Sequence, residues 1–94
     1  MSLNIQHNPQ TKRFEVHIEG HTGYLEYVEQ GDNVLDYAHT IVPKELGGQG
    51  IGSRLVKYAL DYAHEHNFKV IPSCSFVEAY INKHEEYSDL LVDD

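Results

Sequence analysis

Basic residues are scarce in this chain. Seven lysines and arginines stand against 15 aspartates and glutamates, for a formal charge of −8 at pH 7. Nucleic acid needs a cationic footprint for its phosphates, so this balance argues against a nucleic-acid partner. An acidic surface attracts cationic molecules such as amines, although solubility alone explains acidity in many proteins and is the stronger account. Cysteine is almost absent: Cys74 stands alone, which excludes an internal disulfide and agrees with a reducing compartment. No apolar run approaches the roughly 20 residues of a membrane span. Residues 1–5 show no basic stretch followed by an apolar run, so no signal peptide and a cytoplasmic location are expected. Repeats, low-complexity tracts and linkers are missing too. With 94 residues, 40% hydrophobic and 23% charged, the sequence fits one soluble domain, 1–94, with a modest core.

Glycine, by contrast, is concentrated. Gly47, Gly48, Gly50 and Gly52 fill four of six consecutive positions. A β-type segment ending at Ile41 and Val42 precedes them. Ile51, Leu55, Ala59, Tyr62 and Ala63 follow at helical spacing. The glycines therefore mark a strand-to-helix junction. Glycine tolerates positive φ and lets backbone N–H groups approach a ligand closely. The first N–H groups of a helix lack intrahelical partners, and the helix dipole makes that end positive. Together these make a phosphate cradle, where a plain turn is the simpler account of one glycine pair.

The rest of the chain supplies context. Residues 3–7 alternate and begin a first strand, and 8–12 are turn-rich. Residues 13–19 alternate strictly, with Phe14, Val16 and Ile18 on one face. Residues 20–23 suggest a hairpin turn, 24–30 a third strand, 31–33 another turn and 34–42 a fourth strand. Such short links permit only an antiparallel meander. A helix is expected over 50–66, with Asn67 as its stop. His64 and His66, two apart, point to different helix faces and make no metal site, so no metal is expected. Residues 68–71 predict a strand parallel to the fourth through a crossover. Ser75 and Glu78 have the spacing of a capping box, starting a second helix that runs to about His84. The tail 87–92 docks as a last turn or short strand, and Asp93 and Asp94 are expected to fray. The fold class is α+β: a mostly antiparallel mixed sheet of about five strands with two main helices.

Which phosphate ligand the loop would take depends on its pattern. Gly47 and Gly52 have P-loop separation, but Ser53 and Arg54 replace the required Lys and Ser/Thr. The dinucleotide fingerprint fits Gly48 and Gly50, then meets Ser53, in a chain too short for a doubly wound domain. The run Val42, Pro43, four residues, Gly48, Gln49, Gly50, Ile51, Gly52, two residues and Leu55 closely resembles the acetyl-CoA pyrophosphate loop of the GNAT superfamily of N-acetyltransferases. Gly47 departs from that family's Gln/Arg position, which removes one side chain from the cradle but leaves the backbone donors. A second stretch, with Cys74 at a strand end followed by Phe76, Tyr80, Lys83, His84 and Tyr87, resembles the small single-domain members. The resemblance spans roughly 36–90 and implies a minimal GNAT fold without the usual early helices.

It also implies a chemistry. Acetyl-CoA is the expected co-substrate, with Gly47, Gly48, Gln49, Gly50, Ile51, Gly52 and Ser53 around its pyrophosphate. Ile41 and Val42 would lie along its pantetheine arm, and Asn82 or Lys83 near the adenosine phosphate. An amine acceptor, a small molecule or a protein lysine, must attack as the free base. At pH 7 deprotonating a lysine-like amine costs roughly 4.6 kcal/mol. The oxyanion needs a donor, which related enzymes take from the main chain near residues 38–41. Cys74, at a strand end and a helix start, is a candidate nucleophile or a group that positions the CoA thiol; a small buried hydrophobe is the plain alternative. Tyr80 matches a tyrosine that protonates the leaving thiolate, though core packing would serve equally well. His39 is a candidate base near neutral pH, against a satisfied strand histidine. His84 reads as a solvated helix end. Glu26 and Asp36 could hold a cation, but the sequence does not single them out. A non-catalytic acyl-CoA-binding module is the rival function. Monomer and homodimer both stay open, dimerisation being one way to complete an acceptor pocket.

Overall fold

The computed structural model describes residues 4–92. Five strands, β1 (Ile5–Asn8), β2 (Arg13–Ile18), β3 (His21–Glu29), β4 (Val34–Ile41) and β5 (Lys69–Ile71), form one sheet in sequence order. The first four are antiparallel neighbours, and β5 runs parallel to β4. The crossover between them carries a short 3-10 turn (Lys44–Leu46) and helix α1 (Ile51–Glu65). Helix α2 (Ser75–Lys83) and a 3-10 segment (Glu85–Leu90) follow, and Leu91 bridges to Val70 as a parallel edge. This is the α+β fold anticipated from the meander and crossover.

Several boundaries moved for local physical reasons. The hairpin expected over 20–23 is a tighter turn at Glu19 and Gly20, both with positive φ (51° and 81°). Such two-residue turns match the strand twist, so Thr22 and Gly23 are freed to join β3. Val42 lies beyond β4, and a 3-10 turn intervenes before the glycines. Gly50 caps α1 rather than starting it, and Phe68 precedes β5. Asn67 stops α1 in the left-handed region at φ 62°, as its amide side chain permits. The capping box does not form. Cys74 is the N-cap of α2, no side-chain hydrogen bond caps it, and Ser75 is already helical. Leu3, Asp93 and Asp94 lie outside the described residues.

The core explains why one face of the sheet matters. Phe14, Val16, Leu25, Tyr27, Leu35, Tyr37 and Val70 are buried in one cluster with Leu55, Val56, Ala59, Leu60 and Ala63 of α1 and Val77 and Ile81 of α2. Tyr37 donates its hydroxyl to the Ala59 carbonyl at 2.5 Å, tying β4 to α1. The alternating partners of these strand residues, such as Glu15, Tyr24, Glu26, Asp36, His39 and Ile41, are half-buried or exposed. Both helices therefore cover the same face, and no described helix covers the other. No described helix is long and apolar enough to cross a membrane.

Candidate active site

A register shift in β4 creates the site. Glu26 pairs with His39, but the next β3 residue, Tyr27, pairs with Tyr37, so Ala38 is an extra residue on β4. A bulge of this kind reverses the alternation beyond it. Leu35 and Tyr37 face the core; past the bulge Thr40 takes that face, opposite buried Leu25. His39, opposite Glu26, is turned outward and exposed. The ladder between β4 and β5 does not continue past the bulge. Their ladder ends at Asp36 and Ile71, with one further bond from the Cys74 amide to the Tyr37 carbonyl at 3.0 Å. Residues 38–41 and 72–74 share no ladder, so the sheet is left unpaired at the carboxyl end of the parallel pair, the cleft in which α/β sheets place their ligands.

Cys74 and Thr40 meet across that cleft. The Cys74 thiol donates to Thr40 Oγ1 at 3.5 Å. Burial pushes the thiol pKa up, but the Thr40 hydroxyl and the amides of Val77, Phe76 and Thr40 favour the thiolate and leave it below the ordinary value. The sequence suggested the helix-start contribution; the Thr40 contribution depends on a contact 34 residues apart in the chain. The main-chain N–H of Thr40 is among the donors that hold the thiol pKa down, on the same strand as the hydroxyl that meets the sulfur.

The glycine loop is linked to this pair through Val42 and Phe76, each two residues in the chain from one of its members. Gly48 and Gly50 have φ of 78° and 70°, which only glycine adopts freely, and nothing occupies the space where their side chains would be. The first turn of α1 contains no acidic residue, so its open amides keep their attraction for an anion. A cavity of about 260 Å³ is lined by Val42, Leu46, Gly47, Gly48, Gly50, Ile51, Gly52, Ser53 and Phe76. Seven of the nine residues anticipated for the cofactor are among these. Ile51 belongs to the buried core as well. Gln49 is exposed and Ile41 points to the outer face, neither lining the cavity.

The other anticipated residues are dispersed. Tyr80 stacks on His84 with centroids 4.2 Å apart and lies 6.1 Å from Tyr87. Burial raises its pKa; Lys57, Asp61 and Glu86 are the charges around it. Its surroundings are therefore the α1–α2 contact, not the cleft. Asn82 and Lys83 are exposed. Among the described residues no group of three His, Cys, Asp or Glu could hold a metal ion. Leu46 joins the site without having been singled out in advance; Thr40 lay within the stretch 38–41 named for its main chain, and Phe76 had been named only as part of the family pattern.

Asp36 is distinguished from Glu26 by the structure. Glu26 faces Arg13 at 3.4 Å, and Arg13 stacks over Tyr24. Oδ1 of Asp36 is buried and, among the described side chains, is the sole buried N or O without a hydrogen-bond partner. It sits on the outer face, at the last β4–β5 pair before the cleft. An unpaired buried carboxylate oxygen is costly and is eased by a cation.

The fold and cleft define a class, and sequence comparison agrees with it. The profile of the GCN5-related N-acetyl-transferase family matches residues 13–90. The chain belongs to that family. The mouse (Mus musculus) protein NATD1 is 30% identical over 83 residues, covering 86% of this chain and 76% of the relative. The zebrafish (Danio rerio) protein NATD1 is 26% identical over 94 residues, covering 96% and 86%. A GCN5-like protein from Staphylococcus aureus, solved in solution by NMR, superposes with a TM-score of 0.75 at 32% identity, covering 98% of this chain and 90% of that one.

Proposed function

We propose that this chain transfers an acetyl group from acetyl-CoA to an amine. The carrying observation is that Val42 and Phe76, which line the glycine-loop cavity, stand two residues in the chain from Thr40 and Cys74, the pair joined at 3.5 Å. The pyrophosphate would rest on the amides of the glycine loop and the first turn of α1. The thioester carbonyl would then lie near Cys74, with the Thr40 N–H donating to the oxyanion. In the covalent route the Cys74 thiolate attacks the carbonyl carbon, the carbon–sulfur bond to CoA breaks and CoA leaves as thiolate. The free amine then attacks acetyl-cysteine, releasing the Cys74 thiolate. The amine arrives from the uncovered face, where Asp36 accepts its ammonium and takes the proton lost before attack; the second proton, released from nitrogen as the amide forms, passes to solvent.

One observation favours a second function, a non-catalytic acyl-CoA-binding module: the uncovered face leaves an acceptor few walls. Calorimetry with acetyl-CoA, followed by intact mass spectrometry of the same sample, tests both. Binding with an acetyl-sized mass increase on Cys74, lost in Cys74→Ala, supports the covalent transferase. Binding without the adduct, and without acetyl transfer to any amine in a mixed panel, favours the binding module. Absence of binding refutes the cofactor.

A further inference from the structure

Gly52 poses a question that the phosphate loop does not answer. Unlike Gly48 and Gly50 it has no positive φ. It lies inside α1, where glycine is less favourable than alanine by about 1 kcal/mol. What stands in the way of a side chain is Phe76. A Cβ at Gly52 would fall 2.9 Å from Cζ of that ring, closer than real Cβ atoms come, and 3.3 Å from Cε1, a tight contact. The helix start is thus hollowed out to seat an aromatic ring.

That ring is not spent on the core. Val77 and Ile81 are the buried apolar residues of α2, whereas Phe76 is 44% exposed. Its free surface lines the cavity together with Val42, Leu46 and the glycine loop. It stands two residues from Cys74 and directly against the first turn of α1. It therefore belongs to the cavity of the glycine loop and, through the first turn of α2, to the segment that carries the thiol.

We propose that Phe76 is a positioning residue for the acyl donor: the pantetheine arm lies along its ring, and Gly52 is the ring's seat. This rests on the acyl-CoA function proposed above. The arm is long, uncharged and mostly methylene and amide. A flat apolar wall is what holds such a chain in one path and delivers the thioester carbonyl to Cys74 and Thr40. A flexible arm ordered by one aromatic contact loses affinity when that contact is removed, while the phosphate end keeps its own contacts.

The test uses acetyl-CoA and adenosine 3′,5′-bisphosphate, which carries no pantetheine, against wild type, Phe76→Leu, Phe76→Ala, Gly52→Ala and the double variant Gly52→Ala/Phe76→Ala. Phe76→Ala is expected to weaken acetyl-CoA about tenfold, or about 1.4 kcal/mol, with Phe76→Leu between it and wild type. The bisphosphate affinity stays within about twofold. Gly52→Ala weakens acetyl-CoA in the wild-type background but adds little in the Phe76→Ala background, because the displaced ring is already gone. Unchanged acetyl-CoA affinity in Phe76→Ala, equal losses for both probes, or additive effects of the two substitutions would each overturn the proposal. If wild type binds neither probe, the acyl-CoA function itself falls, a result distinct from a failure of Phe76 alone. Since the ring is nearly half exposed, thermal melts of the Phe76 variants serve as the folding control.

Discussion

Replacing Thr40 by valine removes one hydroxyl of nearly the same shape from beside Cys74. The hydroxyl is 3.5 Å from Sγ, and it favours the thiolate by turning its O–H toward the charge. A hydrogen bond to a charged group contributes roughly 1.5–3 kcal/mol, and the half-open cleft and long sulfur contact argue for the low end. About 1.4 kcal/mol corresponds to about tenfold less thiolate at neutral pH. The remaining thiolate is more basic and so intrinsically more nucleophilic, by about threefold for a tenfold change in acidity. The net expectation is that alkylation of Cys74 by iodoacetamide at neutral pH slows by roughly threefold to fourfold in Thr40→Val. Its pH–rate profile also moves to higher pH, while Thr40→Ser stays near wild type. The sign follows from the folded state: a thiol pKa held down means more thiolate at a given pH, and losing the donor reduces it. An unchanged profile in Thr40→Val would refute the assignment of Thr40 as the partner of the sulfur. A profile moved equally by serine and valine would show that packing, not the hydroxyl, sets the reactivity.

Further tests address the frame around the site. Asp36→Asn removes a half-buried carboxylate whose Oδ1 has no partner, so thermal melting is expected to show equal or higher stability while acetyl transfer, measured in parallel, is lost; a stability loss without an activity loss would contradict its role. Tyr37→Phe deletes the bond to the Ala59 carbonyl and is expected to cost about 1 kcal/mol, or about 4–8 °C in melting temperature. His7 stacks on Phe14 at 4.5 Å and shares a 2.7 Å hydrogen bond with the Tyr27 hydroxyl. Burial first, and His66 second, hold its pKa below the ordinary 6.5. The unfolded chain therefore binds its proton at higher pH than the folded one, and stability falls as pH drops through 6.5 toward the folded value. Wild type should lose melting temperature between about pH 7 and about pH 5, and His7→Gln should flatten that slope; equal slopes would rule His7 out as its source.

Much of the site was legible because its parts are local. Gly48 and Gly50 announce a loop that needs positive φ, and the helical spacing from Ile51 announces the amides that follow. Asn67 marks a left-handed stop. The alternation in residues 13–19 gives Phe14 and Val16 to the core, since side-chain direction in a strand repeats every two residues. Each of these follows from a few consecutive residues and the steric rules of the backbone.

Other features were decided by packing between distant segments. Nothing around Ala38 marks it as a bulge, yet that one extra residue turns His39, a candidate base, outward and brings Thr40 inward. Tyr80 carries the right chemistry, but the facing surfaces of α1 and α2 hold it against His84 instead. Gly52 looked like one more loop glycine; only the approach of Phe76 shows that it is a seat for a ring. Asp36 and Glu26 are equivalent as letters, and the position of Arg13 across the strand separates them. Sequence alone thus determined the local backbone and the family to which it belongs. The tertiary structure decided which side chains share the cleft, because register and helix packing depend on contacts across the whole sheet rather than on neighbours in the chain.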